Sequence, residues 1–268
     1  PYYSSPRTHR MRLDHDENIF LCGWSATHTS KEPWWSPYLW KLEAASGKVL
    51  KQFYEYDPMS GTDNRMNGTV ADTAIATLAL DGDGNLLTSL FADGGNTVMG
   101  WSPQAVLGQR FEGQIKNNVG VKLVHWWGMI HRVNEKTGEG LGGARMASKG
   151  LGAAGPAWVV DLASLPGNQV LALGRCNLDF PWSENAWHRG DPEENPTGFV
   201  RVYSAGFELQ FSTALPGVIP FEIVPLSENR FLITGQAKNP TAPVKNALFN
   251  KSRGRADGFF CVIQLNSL

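Results

Sequence analysis

A short polar turn that leads into an apolar strand occurs four times in this sequence. The four turns are Asp14-His-Asp-Glu-Asn18, Asp81-Gly-Asp-Gly-Asn85, Ser164-Leu-Pro-Gly-Asn168 and Pro225-Leu-Ser-Glu-Asn229. Each is read as five residues long and ends on Asn, which tolerates the left-handed backbone conformation of a tight hairpin. A repeat of about 60 to 80 residues is typical of a four-stranded β-propeller blade with long loops.

The predicted fold is therefore all-β, a β-propeller of about four repeated four-stranded antiparallel blades. We treat residues 1–268 as one domain with repeat units of approximately 11–56, 70–148, 157–214 and 219–265. No segment shows a 3.6-residue apolar period, so little helix is expected. The fourth unit lacks a last strand, and an unpaired sheet edge is a liability. We therefore expect an irregular N-terminal arm, residues 1–10, to complete the last blade.

A basic residue followed by an apolar one recurs before a turn that contains glycine. The pairs are Lys41-Leu42, Arg132-Val133 and Arg201-Val202, and the glycines are Gly47, Gly138 and Gly206. The same alignment places Trp126 on Trp35. Because these two tryptophans occupy equivalent repeat positions, we interpret them as residues that pack between blades.

Charge and hydropathy exclude two classes of partner. The net charge is −1, whereas a nucleic-acid-binding protein usually presents a basic face. No run of 18 apolar residues occurs, so no transmembrane segment is predicted. The chain begins with Pro1, as a processed, exported chain would, although a shortened chain would look the same.

The three cysteines, Cys22, Cys176 and Cys261, are far apart and form no CxxC motif. Three buried thiols are the favoured interpretation. A disulfide between Cys22 and Cys176 stays open at this point.

The third and fourth units resemble the SBBP-type repeat of bacterial β-propellers. The matching motifs are Asn177-Leu-Asp-Phe-Pro181, Asn185-Ala-Trp187, Gly198-Phe-Val-Arg-Val202 and Gln210-Phe-Ser-Thr213, then Leu232-Ile-Thr-Gly235, Pro243-Val-Lys-Asn-Ala-Leu248 and Ala256-Asp-Gly-Phe-Phe260. The first two units lack the Asp-Phe-Pro loop. The resemblance implies a bacterial extracytoplasmic protein (periplasmic, cell-surface or secreted), and it transfers no catalytic residue.

Tryptophans in or beside three long loops are the candidate contact residues. The loops span residues 24–37, 92–120 and 177–197, and the candidates are Trp24, Trp34, Trp127, Trp182 and Trp187. Exposed tryptophan suits a protein interface or a carbohydrate platform, because a flat ring offers area at low entropic cost. Packing beneath the loops is the alternative.

The other candidate sites are weaker. Asp81, Asp83 and Asn85 resemble the start of a calcium loop, but apolar residues follow, so a hairpin turn is favoured. The six histidines form no HxH or HExxH pair, and no nucleophile elbow or phosphate-binding loop occurs. We predict no cofactor and no catalytic residue.

The leading hypothesis is a non-catalytic propeller that binds another protein, as a scaffold or a subunit of a larger extracytoplasmic assembly. One alternative is an enzyme, a hydrolase, lyase or oxidoreductase, with its site at the propeller mouth. That would require acidic or histidine side chains from at least three blades to converge. The other is a carbohydrate-binding module, which requires coplanar exposed tryptophan rings in one groove.

Overall fold

The computed structural model describes residues 3–28, 33–53, 73–93, 115–117, 126–146, 157–176, 182–189, 197–237 and 257–265. Sheet 1 contains β1 (Tyr3–Leu13), β2 (Ile19–His28), β3 (Pro33–Leu42) and β4 (Val49–Phe53). Sheet 2 contains β5 (Thr73–Leu80), β6 (Leu86–Asp93), β7 (Ile115–Asn117), β8 (Trp126–Val133) and β9 (Gly140–Met146). Sheet 3 contains β10 (Ala157–Ser164), β11 (Val170–Cys176), β12 (Thr197–Tyr203) and β13 (Leu209–Leu215). Sheet 4 contains β14 (Val218–Ser227), β15 (Arg230–Ala237) and β16 (Asp257–Gln264).

Consecutive strands pair antiparallel in every sheet, apart from the short β7, which runs parallel to β9 on the outside of sheet 2. The helical structure of the described residues is one 3-10 turn, Pro166–Asn168. The first strand of each later sheet packs on the first three strands of the sheet before it: β5 on β1, β2 and β3, and β10 on β5, β6 and β8. β14 packs in the same way on β10, β11 and β12. The predicted four-bladed propeller is confirmed.

Three apolar cores lie between successive sheets. Side chains at alternate positions of the blade strands face the preceding or the following sheet. Thus Phe20 and Leu39 of sheet 1 join Leu78 of sheet 2 in the first core. The second core joins sheets 2 and 3, and the third joins sheets 3 and 4. Apolar burial between sheets is therefore the main force that sets the blades side by side.

The expected role of the N-terminal arm is wrong. Residues 3–13 form β1, which pairs with β2 along its length and is the innermost strand of blade 1. Sheet 4 accordingly has three strands among the described residues. The two prolines in Pro1–Arg10 suggested an irregular arm, but a sheet's first strand tolerates proline, which removes only one ladder donor.

A β-bulge interrupts each of the four innermost strands at the same position. The register shifts fall between Thr8 and Arg10, Ile75 and Thr77, Val159 and Asp161, and Pro220 and Glu222. In sheets 1, 3 and 4, the residue directly before the bulge pairs with a glycine of the second strand. These glycines are Gly23, Gly174 and Gly235. A Cβ on Gly174 would lie 2.2 Å from the carbonyl oxygen of Trp158. The strand-ending glycines of the repeat are thus required by this close backbone approach.

The first two of the repeated turns owe their Asn to a side-chain hydrogen bond rather than to left-handed backbone. In the first turn the left-handed residue is Glu17 (φ 63°), and in the second it is Gly84 (φ 80°). The side-chain amide of Asn18 instead donates to Asp14 (3.0 Å). Asn85 donates to Asp81 in the same way (3.2 Å). The third turn does place Asn168 in the left-handed region (φ 58°).

The fourth turn is shorter than predicted. β14 extends to Ser227, which pairs with Arg230, so that only Glu228 and Asn229 connect the strands.

The third unit is shifted by one residue from the predicted alignment. Counting from the start of the second strand, Val202 lies where Lys41 and Arg132 lie. The left-handed turn residue there is Phe207 (φ 65°), not Gly206. The turn after β12 is one residue shorter than its equivalents. Arg201 lies at the position of Trp40 and His131 and is fully buried, and its Nε donates to Ser212 Oγ (3.0 Å).

Candidate functional site

Among the described residues, an opening separates sheet 4 from sheet 1, which do not pack on each other as the other neighbouring sheets do. β1 is the innermost strand of blade 1, yet it lacks the packing on a preceding sheet that β5, β10 and β14 have in the described residues. One ion pair between the two sheets is described, Arg10 Nη1 to Glu222 Oε1 at 3.6 Å. The two sheet faces that border this opening form the candidate functional site, which we call the opening.

The sheet 1 face of the opening carries two exposed apolar side chains, and one of them, Met11, has buried equivalents in other blades. Counted from the bulge, Met11 of β1 is equivalent to Leu78 of β5 and Leu162 of β10. Leu78 and Leu162 are buried in the cores, whereas Met11 is 55% exposed and Leu13 is 54% exposed. Met11 is therefore the type of residue that the repeat uses for packing between blades, but its side chain is more than half exposed.

The sheet 4 face shows the same exposure. Phe260 of β16 corresponds to Leu39, Ile130 and Val200 in the third strands of the other blades. In each blade, the residue directly after the bulge pairs with a residue of the second strand, and that residue in turn pairs with Phe260 or its equivalent. Those three side chains are fully buried, whereas Phe260 is 71% exposed and Val262 is 51% exposed. Burying one such side chain fully is worth about 1.5–3 kcal/mol. The two faces together therefore form an exposed apolar surface.

Polar side chains from all four blades meet at the propeller axis. The residues directly after the four bulges are Arg10, Thr77, Asp161 and Glu222. Asp161 is fully buried, and its Oδ1 accepts a hydrogen bond from Thr77 Oγ1 (2.9 Å). The same oxygen lies 3.2 Å from Arg10 Nη2 and 3.5 Å from Arg12 Nη2. Its Oδ2 accepts the backbone N–H of Ile223 (3.0 Å).

This axial cluster ties sheets 1, 2 and 4 to one carboxylate of sheet 3. A buried charge is tolerated when it is paired and hydrogen-bonded, and both oxygens of Asp161 are engaged. Within the described residues the cluster contains carboxylates from two blades, Asp161 and Glu222. Sequence reasoning overlooked this cluster. Its signal was a lone carboxylate within the apolar run Trp158-Val-Val-Asp-Leu162, which does not reveal its partners.

The candidate calcium residues form the predicted hairpin turn. Asp81 Oδ1 accepts the N–H groups of Asp83 (3.0 Å) and Asn85 (2.8 Å). Its Oδ2 lies 2.9 Å from Arg132 Nε. The carboxylate of Asp83 accepts a hydrogen bond from Asn168 in the next blade. The oxygens are thus engaged by the protein itself, and no group of three metal-ligating side chains occurs among the described residues.

Basic side chains beside these turns connect neighbouring blades. Arg132 donates to the carbonyl oxygens of Asn168 and Ala205 in blade 3, each at 2.6 Å. Lys41 lies 2.8 Å from Asp14 and 2.7 Å from Glu135 of blade 2. Burial tends to lower the pKa of Lys41, but hydrogen bonds to Asp14 and Glu135 outweigh it and raise the pKa. These basic residues therefore hold blades together.

Three of the tryptophan candidates lie in strands rather than in a loop. The predicted loop 24–37 is largely a hairpin, because β2 continues to His28 and β3 begins at Pro33. Trp24 stacks on Trp35 with ring centroids 4.4 Å apart and an interplanar angle of 17°. Trp34 is in β3 and Trp127 is in β8, and the side chains of both lie outside the described part. Aromatic residues favour strands, which the loop interpretation underweighted.

The remaining tryptophan candidates belong to blade 3. Trp182 packs on the core between sheets 2 and 3. Trp187 is half exposed and tilts against Phe211 with ring centroids 4.9 Å apart. The structure thus places Trp24 on sheet 1, and Trp182 and Trp187 beside sheet 3. The loops 94–114 and 177–181 lie outside the described residues.

The three cysteines are free thiols in different blades. Cys22 and Cys176 are buried in separate cores. Burial raises the pKa of each of these two thiols to about 12. Burial also raises the pKa of Cys261 to about 11. A disulfide between Cys22 and Cys176 is therefore not present.

Comparison with known proteins adds little to this picture. No protein-family model matches the chain, and no curated protein matches it. One matching solved structure is an endo-arabinase from Bacteroides thetaiotaomicron, at 9% identity and a TM-score of 0.40. The match covers 100% of this chain and 77% of that chain. A likeness of this extent carries no conclusion about activity. In the described part of the chain, no helix has the length and apolarity to cross a bilayer.

Proposed function

We propose that this chain is a non-catalytic, extracytoplasmic protein-binding scaffold, a subunit of a larger assembly, and that its contact surface is the opening. The observation that carries the proposal is the exposure of Met11 at a position that the next two blades bury, with the exposed Leu13 two residues further along β1. A protein surface that covers the opening would restore the packing that the other three blade contacts already have.

The axial cluster supports a structural rather than a catalytic role for the polar side chains at the propeller axis. A general acid or base must reach a substrate proton. Asp161 is instead fully buried, with donors from three other sheets on its oxygens.

The proposal is tested by native mass in extracts of the source organism. A tagged full-length chain is compared with the double variant Met11→Lys/Leu13→Lys, which places two ammonium groups on the sheet 1 face. The wild type should elute well above twice its own 29.4 kDa, and the variant should lose that association. Leu141→Lys is the matched control, because Leu141 is an exposed apolar residue of β9 away from the opening.

Two results would sink the proposal. One is a wild-type chain that elutes at or below twice its own mass in the extract. The other is a large complex that the double variant and the control retain equally. Far-UV circular dichroism and the melting temperature of both variants confirm that the charges act on binding rather than on folding.

A further inference from the structure

Among the described residues, nothing pairs with the outer edge of sheet 4, whereas the outer edges of sheets 2 and 3 are covered. β7 pairs with β9 outside sheet 2. Residues 182–189 cover β13: Ser183 N–H donates to Ser212 O (3.2 Å), and Ala214 N–H donates to His188 O (3.0 Å). In sheet 4 the last described strand is β16, and no described strand pairs with its outer side. A row of backbone N–H and C=O groups is therefore available for pairing.

β16 also lacks the features that protect natural strand edges. Residues 258–264, Gly-Phe-Phe-Cys-Val-Ile-Gln, contain no charge and no proline. Their pairing with β15 runs from Asp257 to Gln264 without a bulge. Charged residues, prolines and bulges are the usual means by which edges avoid association. This edge is thus suited to accept another strand.

The other blades show which kind of strand fits beside the position of Phe260. The outer strand places Phe53 across from Leu39, Ala144 across from Ile130 and Thr213 across from Val200. The required strand is antiparallel and carries uncharged side chains at alternate positions. β16 itself meets this description.

We propose that β16 pairs antiparallel with β16 of a second copy of this chain, with Phe260 across from Val262 of that copy. A two-fold axis would pass beside Cys261 and join two three-stranded sheets into one six-stranded sheet. A strand with a charge in its centre would set like charges together under this symmetry, and β16 has none. Aromatic–β-branched pairs across the axis are favourable neighbours in antiparallel sheets.

This inference goes beyond the proposed function, because it concerns the strand edge of sheet 4 and requires no other protein. Its first test is the mass of the purified full-length chain by light scattering across a range of micromolar concentrations. The wild type should have twice the single-chain mass of 29.4 kDa. Val262→Lys, which brings two ammonium groups to the shared face, should weaken dimerisation at least 100-fold. Leu141→Lys adds the same charge on β9 and should remain dimeric.

Chemical cross-linking tests the register. Cys22 and Cys176 are buried, so a short bis-maleimide should join two chains through Cys261, and Cys261→Ser should abolish the product. A wild type of single-chain mass at all concentrations overturns the inference, as does a dimer that Val262→Lys leaves intact. Neither result touches the Met11→Lys/Leu13→Lys test. Val262 also faces the opening, so the cross-link through Cys261 distinguishes pairing at the strand edge from contact through the opening.

Discussion

Replacing Asp161 by Asn should destabilise the propeller far more than an ordinary polar substitution. The side chain is fully buried and accepts from Thr77 and Ile223 while it neutralises Arg10. Asn keeps the shape but replaces one oxygen by an NH2 group. In one orientation this group meets the N–H of Ile223, and in the other it meets the guanidinium groups. Both orientations oppose donor to donor.

The magnitude follows from the loss of a buried, paired charge. Breaking such a pair typically costs about 3–5 kcal/mol, because the remaining charges stay buried without compensation. Arg10 and Arg12 are partly exposed, with 22% and 33% of their side-chain surface accessible, so water recovers part of their solvation. We therefore expect a loss of about 3 kcal/mol for Asp161→Asn.

Urea unfolding monitored by tryptophan fluorescence and circular dichroism measures this loss. With an m-value of about 3 kcal/mol/M, the midpoint should fall by roughly 1 M at an unchanged slope. Glu222→Gln is the matched control, because Glu222 is half exposed and its single ion pair with Arg10 spans 3.6 Å. It should change the free energy of unfolding by less than about 1 kcal/mol. An Asp161→Asn protein as stable as Glu222→Gln would refute the view that Asp161 ties the blades together.

Three further predictions concern the cores. Burial lowers the pKa of His131 from 6.5 to about 3, so the unfolded chain alone takes up this proton as the pH falls from 6.5. The free energy of unfolding should therefore drop by about 1.4 kcal/mol for each pH unit below 6.5. His131→Gln should reduce that slope when denaturation is measured at several pH values. An unaltered slope would contradict the burial of a neutral His131. Gly174→Ala should lower the free energy of unfolding in urea by about 1–3 kcal/mol or more, because the new Cβ would clash with the Trp158 carbonyl oxygen. Gly206→Ala should be nearly neutral, because the nearest atom to its Cβ would be 3.8 Å away. Equal effects of the two substitutions would argue against the close approach. The two thiols whose pKa burial raises to about 12 should resist a thiol reagent in the native protein and react after unfolding, and rapid native labelling would contradict their burial.

Much of the local structure could be predicted because it depends on neighbours in sequence. The first two turns occur where predicted, since Asp14 and Asp81 each hold their own turn through bonds to the residues two and four positions later. The role of Asn within those turns was predicted wrongly. Asn is favoured both by a left-handed backbone and by a side-chain hydrogen bond, and the sequence does not distinguish the two. The hairpin formed by β2 and β3 was missed because Pro33 and Pro37 resemble loop residues.

The candidate site could not be predicted, because each part of it depends on residues far apart in the chain. Arg10, Thr77, Asp161 and Glu222 show no common sequence pattern, and only the shared bulge reveals their equivalence. Met11 and Phe260 read as ordinary core residues. Their exposure is a property of which sheets touch.

The sequence by itself determined a repeat of strands and turns, since strand alternation and turn hydrogen bonds act over a few residues. Tertiary structure alone decided that residues 3–13 join sheet 1, that four bulged strands meet at Asp161, and that β1 and β16 leave apolar side chains exposed. The physical reason is that apolar strands of equal pattern can pair or pack in several places. The choice among those places is made by the summed packing and register of whole sheets.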